Sequence, residues 1–84
     1  MSAHAGPFRV AYTNSLAEYL REPTESALRA AYELGREAVQ RKLSVMDLAV
    51  AHQEALMRAL SGASGRAEVH RITQAAGDFF LESL

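Results

Sequence analysis

The sequence predicts an all-α protein, an antiparallel four-helix bundle, on three observations. Apolar residues recur at three- and four-residue spacing through four segments of about 14 to 20 residues, as in helices with one buried face. The connections between these segments are short, roughly two to five residues, which favours antiparallel neighbours. The alternation of apolar and polar residues that marks strands is absent.

The first helix is predicted to begin at Pro7 and to end before Pro23. Proline suits the first helical turn, and the residue before a proline avoids the helical conformation. Residues 1–6 are small and polar, and we expect them to form a flexible tail. The predicted buried face consists of Phe8, Tyr12, Leu16, Tyr19 and Leu20.

The second helix starts at an N-cap, Thr24, and Glu25 places negative charge at the positive end of the helix dipole. The predicted buried face is Leu28, Ala31, Tyr32, Gly35, Ala38 and Val39. The opposite face is charged, and three pairs at four-residue spacing are expected to form ion pairs: Glu25–Arg29, Arg29–Glu33 and Glu37–Arg41.

The third helix carries more apolar surface than a small monomer can cover. Ser44 and Asp47 predict a capping box at its start. A second apolar stripe, Met46, Val50 and Met57, is expected to lie beside the main one, so that the apolar arc is about twice the usual width. The main stripe is Val45, Leu48, Ala49, His52, Ala55, Leu56, Ala59 and Leu60.

The fourth helix follows a break at residues 61–65 and runs from about Arg66 to the end of the sequence. Its predicted buried residues are Val69, Ile72, Ala76, Phe79 and Phe80.

We expect the third and fourth helices to form a homodimer seam. The helical pattern is still running at the last residue, so we expect this chain to be the N-terminal part of a longer signalling protein. The predicted dimer interface is Met46, Val50, Met57, Phe80 and Leu84.

Composition narrows the class of protein. Hydrophobic residues make up 49% of the chain, enough for a core, and the absence of cysteine excludes disulfides and thiolate metal sites. The formal net charge is −1 and neither sign is clustered, which argues against nucleic acid or an anionic membrane surface as a partner. Neither a signal peptide nor a membrane span is evident, so we expect a soluble, cytoplasmic protein.

No pattern of catalytic or metal-binding residues is present. The three histidines, His4, His52 and His70, lack the spacing of metal ligands, and phosphate-binding loops are missing, so we expect no enzymatic activity and no cofactor. His52 falls within the main apolar stripe. A hydrogen-bonded core histidine is the simplest interpretation, with a pH-sensitive interface or a ligand contact as alternatives. Gly35 and Gly77 lie inside helices, which suggests close helix approach within the subunit, and the alternative for Gly35 is that it makes room for a partner chain.

Several stretches of the second, third and fourth helices resemble a known module. Thr24-Glu25-Ser26-Ala27-Leu28, residues 31–38, the Ala51-His52 step and Phe79-Phe80-Leu81 are similar to the N-terminal regulatory domain of the bacterial phosphatase RsbU. The resemblance covers about residues 9–84. It implies a homodimeric four-helix domain that precedes a phosphatase, PAS or histidine-kinase module. It also implies a role in stress-response signalling, in which a switch protein of the GHKL-kinase class docks and activates the output domain.

The resemblance also implies a docking site. Glu25 matches the acidic residue of the family at the start of the second helix, beside the docking groove, and Leu81 matches an aliphatic position of the last helix. Arg29 stands where the phosphatase has an aromatic residue, so the partner of this chain is expected to differ or to have been lost. The predicted docking residues are Glu25, Arg29 and Leu81.

Two other functions are compatible with the sequence. In the first, the extra apolar surface encloses a small apolar ligand near His52 and Tyr32, in a monomeric module. In the second, the third helix reads DNA as part of a helix-turn-helix, although its mostly apolar surface does not favour base contacts.

Overall fold

A computed structural model describes residues 5–84, and these residues form four α-helices and no strand. The helices are α1 (Ala5–Arg21), α2 (Glu25–Gln40), α3 (Val45–Ser61) and α4 (Arg66–Ser83). The predicted all-α helical bundle is therefore confirmed. Residues 1–4 of the predicted tail, which include His4, lie outside the described residues, whereas Ala5 and Gly6 open α1.

The ends of α2 and α3 follow the local signals in the sequence. The Thr24 hydroxyl accepts a hydrogen bond from the Ala27 N–H at 3.0 Å. Ser44 and Asp47 form the predicted capping box, in which each side chain accepts a hydrogen bond from the other residue's backbone N–H. Between these helices, Lys42 takes a left-handed conformation, φ 60°, and the backbone closes α2 as a Schellman motif.

Each of the four helices contributes three buried apolar residues to the core. The aromatic centre is formed by Tyr12 and Phe79, whose rings meet edge to face with centroids 5.3 Å apart. The predicted buried face of α1 is confirmed for Phe8, Tyr12 and Leu16, which are fully buried, and Tyr19 and Leu20 are partly buried against the core. The core consists of Phe8, Tyr12, Leu16, Ala31, Leu34, Ala38, Leu48, Ala51, Ala55, Ile72, Ala76 and Phe79.

Helix α2 approaches α4 most closely at Gly35. A Cβ atom built on Gly35 would overlap the carbonyl oxygen of Ser83 and lie 2.9 Å from its carbonyl carbon. This contact confirms that Gly35 permits close helix packing within the subunit. The same interpretation is wrong for Gly77, because a Cβ atom built there meets nothing within 4 Å.

Several residues expected in the core are exposed, and the reason differs between helices. On α2, Tyr32 and Val39 face outward while Leu34 is buried, because α4 covers the side of α2 that carries Ala31, Gly35 and Ala38. Val45 is exposed because it is the first residue of α3, at the point where the chain has just entered the bundle. On α4, Val69 is likewise exposed, and Ser83 is buried instead.

Candidate interaction surfaces

The second apolar stripe of α3 is uncovered. Met46 is 72% exposed, Met57 is 62% exposed and Val50 is 40% exposed. Each of the three lies two residues, about 200° of helical turn, from a buried residue of the Leu48–Ala55 line. The stripe therefore lies on the side of α3 opposite the buried residues Leu48, Ala51 and Ala55, away from the core.

Val50 and Met57 line a groove between α1 and α3. The α1 side of this groove contains Val10, a large exposed residue that sequence reasoning did not assign to any surface. Arg9 and Glu54 close the groove from its two sides through a bidentate ion pair, with Nε–Oε1 at 2.9 Å and Nη2–Oε2 at 2.5 Å. The Glu54 carboxylate raises the pKa of the Arg9 guanidinium above its usual value. The groove therefore combines exposed apolar side chains with a polar border formed by the Arg9–Glu54 ion pair.

The five predicted dimer residues do not share one face of the molecule. Phe80 packs against the His52 ring, with centroids 4.6 Å apart, where α3 meets α4. His52 and Val50 are two residues apart, so about 200° of turn separates this contact from the groove. Leu84 is exposed directly after α4. Met46, Val50 and Met57 thus form one surface, and Phe80 lies on the other side of α3.

Two of the predicted docking residues, Glu25 and Arg29, line a second groove, between α2 and α4. Tyr32 lies beside them, and Glu82 is the residue of α4 that faces them. Within residues 5–84, none of these three charged side chains forms an ion pair. Leu81 is exposed and adjacent to Glu82 but does not line the groove. Sequence reasoning missed Glu82, whose place depends on how α4 packs against α2.

His52 is a half-buried histidine with a hydroxyl partner. Its Nδ1 lies 2.9 Å from the Tyr12 hydroxyl, and Tyr12 is fully buried. Burial lowers the pKa of His52 and raises the pKa of Tyr12, because a charge on either side chain would lose hydration. The core interpretation of His52 is confirmed. His52 lines neither groove, so the structure does not bring it together with Tyr32 around a ligand pocket.

Within residues 5–84, no group of three His, Asp or Glu side chains is placed to hold a metal ion. None of the four helices combines the length and apolarity needed to cross a membrane over this part of the chain. His70 is exposed, as expected.

The fold and these surfaces define a small helical-bundle domain whose distinctive features are uncovered side chains on α2, α3 and α4. The family described as phosphoserine phosphatase RsbU, N-terminal domain, matches residues 10–84. The chain belongs to this family, whose domain is the regulatory part of the phosphatase and not its catalytic part. No curated protein and no solved structure was found to match the chain.

Proposed function

We propose that this chain is a non-catalytic domain that pairs with a second copy, receives a docking protein and thereby regulates a C-terminal output module in bacterial signal transduction. The output module is a phosphatase or a histidine kinase. The observation that carries the proposal is the uncovered apolar surface of α1 and α3, because a lone subunit leaves it in water. Family membership supports the regulatory role.

The dimer seam is proposed along the outer side of α3, at Met46, Val50 and Met57, together with Val10 of α1. Burying one such side chain contributes roughly 1.5 to 3 kcal/mol, so a two-fold interface that covers both sets gains several of these contributions. The Arg9–Glu54 ion pair beside the groove supplies a polar rim. Phe80 is not needed for this seam, since it already packs on His52.

The docking site is proposed at the groove between α2 and α4, where Glu25, Arg29 and Glu82 form no ion pair among residues 5–84 and Leu81 is exposed nearby. The matches of Glu25 and Leu81 to the RsbU family support a switch protein of the GHKL class as its occupant, whereas Arg29 departs from the family. The two proposed surfaces lie on different helices, so a docked protein and a second copy can bind together. In an antiparallel bundle, a shift of α2 reaches α4 through their close contact at Gly35.

Sedimentation velocity tests the dimer. We expect the unmodified chain to sediment as a dimer and Met57→Glu to sediment as a monomer, because a carboxylate in an apolar seam is desolvated without a partner. Val39→Glu is the control, since Val39 is also largely exposed but lies on α2. It should leave the dimer intact. A monomer of 9.2 kDa at high concentration, or Met57→Glu that dimerises with unchanged affinity, would contradict the proposal.

A further inference from the structure

We propose that the outer side of α2 binds a helix of the docking protein that carries two carboxylates seven residues apart. The inference rests on the proposed docking function and names the chemistry of the partner. It starts from two residues that the sequence pattern placed in the core, Tyr32 and Val39, which are 48% and 76% exposed.

These two residues belong to a continuous line along α2. The line contains Glu25, Arg29, Tyr32, Arg36 and Val39, and we call it the α2 seam. All five side chains are exposed. Their spacing of four, three, four and three residues is that of the contact positions in paired helices, which keeps one line of side chains facing a partner helix. The α2 seam is therefore shaped for a helix that lies alongside α2.

The middle of the α2 seam is ordered by its own side chains. The Arg36 guanidinium donates a hydrogen bond from Nη1 to the Tyr32 hydroxyl at 3.3 Å, and its central carbon lies 5.9 Å from the centre of the Tyr32 ring. An aromatic ring paired with an arginine loses less conformational entropy on binding, because its position is already fixed. Tyrosine and arginine are also the residue types that are enriched at binding hot spots.

The arginines of the α2 seam carry uncompensated charge. The expected Glu25–Arg29 and Arg29–Glu33 ion pairs do not form, and only Arg41–Glu37 does, at 3.0 Å. Within residues 5–84, neither Arg29 nor Arg36 contacts a carboxylate. They are seven residues apart, about 10.5 Å along the helix. A partner helix with carboxylates at the same separation compensates both charges.

The ends of the α2 seam specify the rest of the partner. At the N-terminal end of the α2 seam, Glu25 and Glu82 line the groove between α2 and α4, so a basic partner residue is favoured there. Val39 at the other end favours an apolar residue. Three charges among five contact positions are typical of an interface that forms and separates, whereas permanent dimers are more apolar. The second copy is therefore assigned to α3, and a different protein to the α2 seam.

Two synthetic helical peptides of three heptads serve as probes. The acidic peptide carries Leu at its contact positions, Glu at two of them seven residues apart, and Lys at the end that faces Glu25. The basic peptide replaces both Glu residues by Lys. By fluorescence anisotropy at low salt, we expect the chain to bind the acidic peptide about tenfold more tightly. The Arg29→Glu, Arg36→Glu double variant should reverse this preference.

The control is Arg66→Glu, Arg71→Glu, which makes the same change of charge at exposed positions of α4 and should keep the preference for the acidic peptide. Equal binding of both peptides, or a preference that Arg29→Glu, Arg36→Glu leaves unchanged, would overturn the inference. So would loss of the dimer in sedimentation of that variant, because a second copy would then occupy the α2 seam. A dimer that survives beside a failed peptide test rejects this inference alone and leaves the dimer proposal standing.

Discussion

Gly35 lies directly against the carbonyl group of Ser83, so that α2 and α4 meet through backbone atoms at this point. Alanine in place of glycine inside a helix ordinarily stabilises it by about 1 kcal/mol. At Gly35 we expect the opposite, a loss of about 1 to 3 kcal/mol in the free energy of unfolding, because the added methyl group forces the helices apart. Urea unfolding measures this change.

Gly77→Ala is the matched control for Gly35→Ala. Its Cβ atom meets nothing within 4 Å, so we expect an increase in the free energy of unfolding of up to about 1 kcal/mol. If both variants change stability in the same direction, the contact between Gly35 and Ser83 does not limit the packing of α2 on α4.

The half-buried His52 predicts a loss of stability in mild acid. Because burial lowers its pKa below the usual 6.5, the unfolded chain binds a proton more readily than the folded one between the two pKa values. The free energy of unfolding should therefore fall as pH decreases from about 7.5 to about 5. His52→Gln keeps an acceptor for the Tyr12 hydroxyl and removes the titration, so its decrease should be smaller. Parallel curves for both proteins would contradict this explanation.

The capping box makes the start of α3 sensitive to one hydroxyl group. Ser44→Ala removes the acceptor of the Asp47 N–H and is expected to lower the free energy of unfolding by about 1 kcal/mol. Ser61→Ala is a control at the other end of α3, where the hydroxyl donates to the Arg58 carbonyl, and should cost less than about 0.5 kcal/mol. Denaturant midpoints compare the two, and equal losses would argue against a specific role for the cap.

Adjacent phenylalanines of α4 should differ in their contribution to stability. Phe79 is fully buried between Tyr12 and Tyr19, so Phe79→Ala is expected to cost about 3 to 5 kcal/mol. Phe80 is only partly buried against His52, and Phe80→Ala should cost clearly less. Urea unfolding of both variants tests the orientation of α4. A larger loss for Phe80→Ala would mean that α4 is rotated relative to the structure.

Local signals predicted the helices well, and the packing between them less well. Thr24, Ser44 and Asp47 act through bonds within four residues, so the sequence alone was sufficient to locate these caps. The prediction that Tyr32 and Val39 are buried was wrong. Both lie at an edge of the apolar arc of α2, and hydrophobicity alone does not show which edge a neighbouring helix covers. Gly35 decides which edge is covered, because its lack of a side chain allows α4 to pack closely over Ala31 and Ala38.

The interaction surfaces were predictable to a similar degree. Glu25 and Arg29 share a groove because they are one helical turn apart, which sequence spacing already implies. Val10 and Glu82 join their grooves only through contacts between helices, and no local pattern indicates them. Phe80 was assigned to the dimer seam from its hydrophobicity, whereas the His52 ring already covers one of its faces.

The contact of two main chains at Gly35 and Ser83 has a mechanical consequence. A side chain at such a junction can rotate and absorb a small displacement, but two peptide backbones in van der Waals contact have no comparable freedom. We therefore expect a displacement of α2 at this point to displace the last turn of α4 as well.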